Sequence, residues 1–291
     1  MATNTIACLP IVTSKSDSNM NFFQLISALV LTLSAAHSIA QDAPLVFAVN
    51  EGVTYRVNPV ATIERFRGLS EDLSKLLKRP VKIQPVTDYK ELAIGLGEQR
   101  YDLAYVHPAH HSIRAITKSG YSLIAVTKGF TEYRASFLVR GDSQLKTMAD
   151  LKGKKLGAPD EDSITSVIMR ATMRDSVGAQ TVDATYVRLQ DAVPFMVENK
   201  MVSAGVTAAR AVVKDWQDKG GRVIGTSKPV PIKHLIASSK LPEAQRAQIA
   251  SYFLGLEQSS EGKKRLESLN VAGFLEYDQT ALVGIGKWLG I

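Results

Sequence analysis

From Leu45 onward, short apolar runs of strand length alternate with stretches whose apolar residues recur every three or four positions. That alternation constrains the fold more than any single motif, because a period of two marks strands and a period near 3.6 marks helices. Leu45–Val49, Val81–Val86, Leu103–Val106 and Tyr121–Thr127 read as strands. Between them, Ile63, Phe66, Leu69, Leu73, Leu76 and Leu77 define the inner face of a helix entered at Pro59. Asp88 is placed to cap a second helix, with Tyr89, Leu92, Ala93 and Leu96 facing inward, and Pro108 suits the first turn of a third. A second series of strands at 135–139, 155–158, 185–189 and 204–207 alternates with helices at 163–177, 192–198 and 208–219. Strands at 222–225 and 234–237 follow, then helices from about Pro242, Ser259 and Asp278.

Such alternation predicts an α/β protein whose mostly parallel sheets carry helices on both faces. The two series are similar in size and join near 127–134, and Lys228-Pro-Val-Pro231 breaks any helix on the way back. We therefore expect two lobes, residues 41–130 plus 228–291 forming the first and 131–227 the second. In open α/β sheets ligands sit at the carboxyl ends of strands, which is where Tyr105 and His107 fall.

Residues 1–40 read as a signal region. Phe22–Ala36 is apolar, too short to span a bilayer comfortably, and is followed by Ser38-Ile39-Ala40, a small-residue cleavage pattern. Met20 is the expected true start and Ala40 the last residue removed. The sole cysteine, Cys8, falls in the removed part, which excludes a disulfide framework, a thiol nucleophile and a cysteine zinc site in the exported chain. With 45% apolar and 22% charged residues, and no other long apolar run, the chain is neither disordered nor a multi-span membrane protein. Lys and Arg exceed Asp and Glu by 35 − 28 = +7, a balance that suits an anionic ligand without naming one.

No GxSxG, HExxH or phosphate-loop pattern is present, so no enzyme activity, cofactor or catalytic residue is expected. The aromatic residues are not interleaved with basic ones, which argues against nucleic acid. Gly157 to Ser166 runs from a strand into a helix, and helix N-termini bind anions. Ser163, Thr165 and Ser166 can add hydroxyl donors there, while plain capping by Asp162 or Ser163 explains the same residues and is favoured by the segment alone. Tyr105 and His107 stand at the carboxyl end of a strand; Tyr105 taken alone reads as a core residue. His107, His110 and His111 have the spacing to share a helix face, which leaves open a metal site, although surface histidines are the simpler reading.

The motifs Tyr101-Asp-Leu-Ala-Tyr-Val-His-Pro108, Tyr133-Arg134, Phe137-Leu-Val-Arg140, Met148 to Lys155, Asp160 to Ser166 and Gly225 to Pro231, in that order, resemble the periplasmic phosphate-, phosphite- and phosphonate-binding proteins of ABC importers. The resemblance covers about residues 44–290. It implies the two-lobed type 2 periplasmic-binding fold with its ligand cleft at the hinge, a small oxyanion ligand, a membrane permease as partner, a periplasmic location and a monomer. It also turns Ser163 and Thr165 from caps into expected ligand contacts, with Ile164 and Ser166 standing where the family has a hydroxyl residue and glycine. Tyr55, Tyr105, His107 and Thr207 match positions near the ligand, and Thr207 and Gln190 replace residues usual in the family's phosphonate binders. The alternatives are a periplasmic sensing or interaction module of the same fold and a histidine-cluster metal-binding protein.

Overall fold

The structure, a computed structural model, describes residues 43–52 and 58–291. Among them, no helix is long and apolar enough to cross a membrane. The first sheet runs β11-β4-β10-β3-β1-β2, from β1 (Leu45–Asn50), β2 (Val81–Pro85), β3 (Leu103–Val106), β4 (Tyr121–Thr127), β10 (His234–Ser238) and β11 (Phe274–Leu275). The second runs β7-β6-β8-β5-β9, from β5 (Ser136–Val139), β6 (Leu156–Ala158), β7 (Ala184–Tyr186), β8 (Ala204–Thr207) and β9 (Arg222–Thr226). In the first sheet β1 to β4 share one direction, with β10 and β11 against them; in the second only β5 opposes the rest. The strands that run against the others include the one entering each sheet from the other lobe, β5 and β10.

Helix α1 (Pro59–Leu77) starts where Asn58 accepts hydrogen bonds from the amides of Val60 and Ala61, and stops where Lys78 turns left-handed. Its buried stripe is Thr62, Phe66, Leu69, Leu73 and Leu77. Ile63, expected inside, is 39% exposed, because a 3.6-residue period brings Thr62 and not Ile63 under Phe66. Asp88 caps α2 (Tyr89–Gly97), accepting from Glu91 N at 2.8 Å. Gly95 takes the inner place expected of Ala93, since a Cβ there would come within 2.3 Å of the Tyr101 hydroxyl. Pro108 precedes α3 (Ala109–Lys118), and α4 (Ile164–Val177), α5 (Val193–Glu198) and α6 (Arg210–Asp218) serve the second sheet.

Helices α7 (Glu243–Gly255) and α8 (Ser260–Leu269) cover the first sheet, where Ile249, Phe253, Leu256, Leu266 and Leu269 join the core around Phe47 and Phe66. The last helix, α9 (Gln279–Leu289), bridges the lobes: Leu282 and Leu289 pack with Ile113 of α3 and with Ile168 and Met169 of α4. The chain crosses between the sheets from Thr127 to Ser136 and returns from Thr226 to His234. The two crossings are bonded to each other at Tyr133 and Val230, with N···O distances of 3.2 and 2.9 Å, and by Ile232 N to Phe130 O at 2.8 Å.

His234 lies wholly buried in β10. Its Nε2 lies 3.1 Å from Pro231 O, and its Nδ1 lies 2.6 Å from the Ser112 hydroxyl, which also reaches Ala109 O at 2.8 Å. Burial pushes its pKa down to about 4, leaving it neutral in the fold. An unfolded chain binds this proton below about pH 6.5 while the native one refuses it, so stability is lost as pH falls from about 6.5 towards 4. The expected slope from this residue is about 1.4 kcal/mol per pH unit. Urea unfolding of His234→Gln between pH 6.5 and 4.5 should show a correspondingly flatter pH dependence; an unchanged slope refutes the assignment.

Candidate functional site

Three strand-to-helix turns of the second lobe and one crossing bring their polar side chains to one place. At the start of α4, Ser163 is extended (φ −74°, ψ 150°) and its Oγ accepts from Ser166 N at 3.2 Å. Its own hydroxyl donates to Ser166 Oγ at 3.2 Å, and Ser166 in turn donates to Pro159 O at 2.9 Å. The cap expected from sequence is therefore formed, by Ser163 and not Asp162. It uses one first-turn amide, and helix geometry provides no partner for those of Ile164 and Thr165.

The turn after β7 places Gln190 between the crossing and β8. Its Oε1 accepts from Thr207 Oγ1 at 3.0 Å and Ala208 N at 2.7 Å, while Nε2 donates to the Tyr133 hydroxyl at 3.3 Å. Tyr133 Oη lies 2.9 Å from Thr165 Oγ1. Thr207 gives its proton to Gln190, and Gln190 donates to Tyr133. Between Tyr133 and Thr165 either hydroxyl can be the donor, so the network ends on this pair of hydroxyls at the start of α4. Ser163, Thr165, Ser166, Gln190 and Thr207 are all buried, so the chain is held in a medium where each bond is stronger than in water.

His107 meets this network from the first lobe, its ring edge-on to Tyr133 with centroids 5.9 Å apart. It lies against Gly52, which is left-handed (φ 92°) and where a Cβ would come within 2.7 Å of the imidazole. Burial, reinforced by nearby Lys233, pushes the His107 pKa down to about 3, so the ring is neutral and presents one donor and one acceptor. Lys233 sits in the returning crossing with a left-handed backbone (φ 61°) and its ammonium 3.7 Å over the Phe130 ring. Burial lowers its pKa to about 8, which still leaves it mainly charged at neutral pH.

Ser163, Thr165, Ser166 and Thr207 are thus brought together, and His107 joins them. Tyr105 is not. It shares a face of β3 with Leu103, packs 5.4 Å from Phe66, and its hydroxyl meets Thr127 Oγ1 at 3.1 Å. Burial raises its pKa well above the usual phenol range. Tyr55 lies outside the described residues. The three histidines do not share one helix face, because α3 begins only at Ala109 and His107 belongs to the strand end. His110 and His111 instead converge on Asp162 from the other lobe, each Nε2 3.2 Å from a carboxylate oxygen. Burial would raise the Asp162 carboxyl, but these two histidines outweigh it and hold the group well below the usual carboxylate range. Within the acidic run, Asp162 faces the histidines, and Asp160 accepts from Asp162 N at 2.9 Å. Tyr133, Gln190 and Lys233 were not among the expected site residues, and only their positions at the crossings and turns could have signalled them.

Two mixed sheets joined by paired crossings, with a helix N-terminus and a hydroxyl cluster beside them, define the type II periplasmic-binding fold. The fold is shared with the Xanthomonas citri protein XAC2383 bound to ATP, at TM-score 0.69 and 14% identity over 86% of this chain and 98% of that one. PhnD1 from Prochlorococcus marinus, in complex with methylphosphonate, is similar at TM-score 0.63 and 18% identity over 84% and 96%. A binding component of an ABC phosphonate transporter from Pseudomonas aeruginosa matches at TM-score 0.58 and 16% identity over 85% and 86%. Residues 52–282 match the family described as ABC transporter, phosphonate, periplasmic substrate-binding protein. The chain belongs to that family. It is an extracytoplasmic solute-binding protein of an ABC importer for oxyanions of the phosphate, phosphite and phosphonate class, and not an enzyme. Membership implies a periplasmic setting and a membrane permease as partner.

Replacing Gln190 by Ala leaves Thr207 Oγ1 and Ala208 N without their acceptor in a buried place. We expect a loss of about 1–3 kcal/mol in urea unfolding. A change below about 0.5 kcal/mol would show that the relay does not form.

Proposed function

We propose that the ligand's oxyanion group is held at the start of α4 by the amides of Ile164 and Thr165 and by the Thr165 hydroxyl, with Ser163 and Ser166, whose hydroxyls are bonded to each other and to Pro159 O, shaping the turn around it. Thr207, acting through Gln190, positions the Tyr133–Thr165 hydroxyl pair against it. His107 faces the group from the first lobe, and Tyr55 is assigned to the same side by its match to the family. Tyr105 acts indirectly, by fixing Thr127 at the crossing. The observation that carries this reading is the buried hydrogen-bond network from Thr207 through Gln190 and Tyr133 to Thr165, which ends on hydroxyls beside a helix N-terminus. Closure turns on the crossings 127–136 and 226–234, with lobe 1 comprising 41–130 plus 228–291 and lobe 2 comprising 131–227. Removal of residues 1–40 during export leaves β1 whole, since that strand starts at Leu45. A monomer delivers the captured anion to the permease.

A hollow of about 750 Å³ opens beside Tyr133, lined also by Phe130, Arg134, Ala208, Arg210 and Lys214. It has room for a substituent on the phospho group, a reading also supported by the ATP bound to the Xanthomonas citri relative. The test is calorimetry of ligand-stripped mature protein with phosphate, phosphite, methylphosphonate, a phosphate ester and sulfate. Each hydrogen bond to the charged group contributes about 1.5–3 kcal/mol, so a phospho ligand should bind with Kd of roughly micromolar order after losses on association. Thr165→Val should weaken it by about tenfold or more. Absence of heat with every phospho compound would overturn the assignment.

A further inference from the structure

His110, His111 and Asp162 lie beside the anion site but take no part in it. One donor atom from each comes within 4.8 Å of the others. His110 Nε2 is 3.2 Å from Asp162 Oδ1, and His111 Nε2 is 3.2 Å from Oδ2. Two ligand bonds of about 2.0–2.1 Å at the tetrahedral angle put their atoms about 3.3 Å apart, so each histidine stands at ligand spacing from the oxygen it faces, and a small turn of the half-exposed carboxylate serves both with one oxygen. A hydrogen bond accounts for the His110 contact. The other contact is poorly directed: His111 Nε2 is buried and 3.2 Å from Oδ2, but outside good hydrogen-bond geometry. Tyr89 stacks on the His111 ring at 5.5 Å and holds it in this orientation. Both imidazoles are buried, at 0% and 2% exposure, while the Asp162 side chain is 46% exposed and gives an ion a way in.

We propose that His110, His111 and Asp162 form a site for a divalent transition-metal ion that joins the two lobes. Two imidazoles and one carboxylate are a ligand set for Zn²⁺ or Co²⁺, leaving a fourth position for water. The histidines come from α3 and the carboxylate from the turn before α4, so the bound ion ties the first lobe to the second next to the oxyanion site. Arg114, whose Nη1 lies 3.9 Å from Asp162 Oδ1, competes with the ion for the carboxylate.

The test is titration of chelator-stripped mature protein with Co²⁺, followed by its visible absorption, and with Zn²⁺ by equilibrium dialysis, both without added oxyanion. We expect one equivalent to bind with an intense tetrahedral Co²⁺ band. His111→Ala and Asp162→Asn should each weaken binding by about 100-fold or more, since each removes a ligand. Arg114→Met should tighten it several-fold. Asp162→Asn keeps size and shape at a half-exposed position, so it decides the matter if His111→Ala fails to fold. Absence of stoichiometric binding, or binding retained in Asp162→Asn, overturns the proposal. Oxyanion calorimetry in the presence of chelator is read separately, so either assignment can fail without the other.

Discussion

Everything in this molecule hangs on the hydrogen bonds between its two crossings. The chain leaves the first sheet after Thr127 and re-enters it at His234, and the outgoing and returning stretches meet at Tyr133 and Val230. Ser227 reinforces the meeting, its amide donating to Ala135 O at 2.9 Å and its Oγ accepting from Ala135 N at 2.9 Å. Backbone groups in so narrow a waist have few neighbours to satisfy them, and pairing with each other is the available solution. The same pairing fixes Tyr133, whose backbone belongs to the waist and whose hydroxyl belongs to the hydroxyl network. Geometry at the waist and geometry at the anion site are therefore set by one residue.

Electrostatics around the site follow from burial more than from net charge. The excess of +7 is spread over the chain, whereas the described groups nearest the site are hydroxyls, amides and a neutral imidazole, with the Lys233 ammonium as the nearby positive charge. Fixed dipoles of this sort, together with a helix N-terminus, favour an anion without a fully desolvated opposite charge. The nearby acidic side chains are directed elsewhere, Asp162 above all, which meets the histidines of the other lobe.

Much of the architecture was legible in the sequence because hydrophobic period reports directly on which face of an element is buried. The limits of that reading are equally physical. Ile63 was expected inside because it is apolar, yet helix rotation buries Thr62 instead, where its hydroxyl donates to Glu51 at 2.9 Å. Ser163, Thr165, Ser166 and Thr207 could be picked out since each lies at an element end. Gln190 and Tyr133 stood out only as a departure from and a landmark of the family pattern, because their roles depend on partners brought together across tens of residues. The histidine spacing suggested a shared helix face, but the third partner of His110 and His111 is Asp162, some 52 residues away, and no local pattern announces it.

The position of β10 has a temporal consequence. This strand sits between β3 and β4 in the first sheet, yet it is made only after the whole of the second sheet. Until residue 238 emerges, β3 and β4 have no strand between them to pair with, and until residue 289 emerges Ile113 lacks its α9 neighbours. The first sheet is therefore completed only after the second has been made, and the second lobe's core receives Leu282 and Leu289 last.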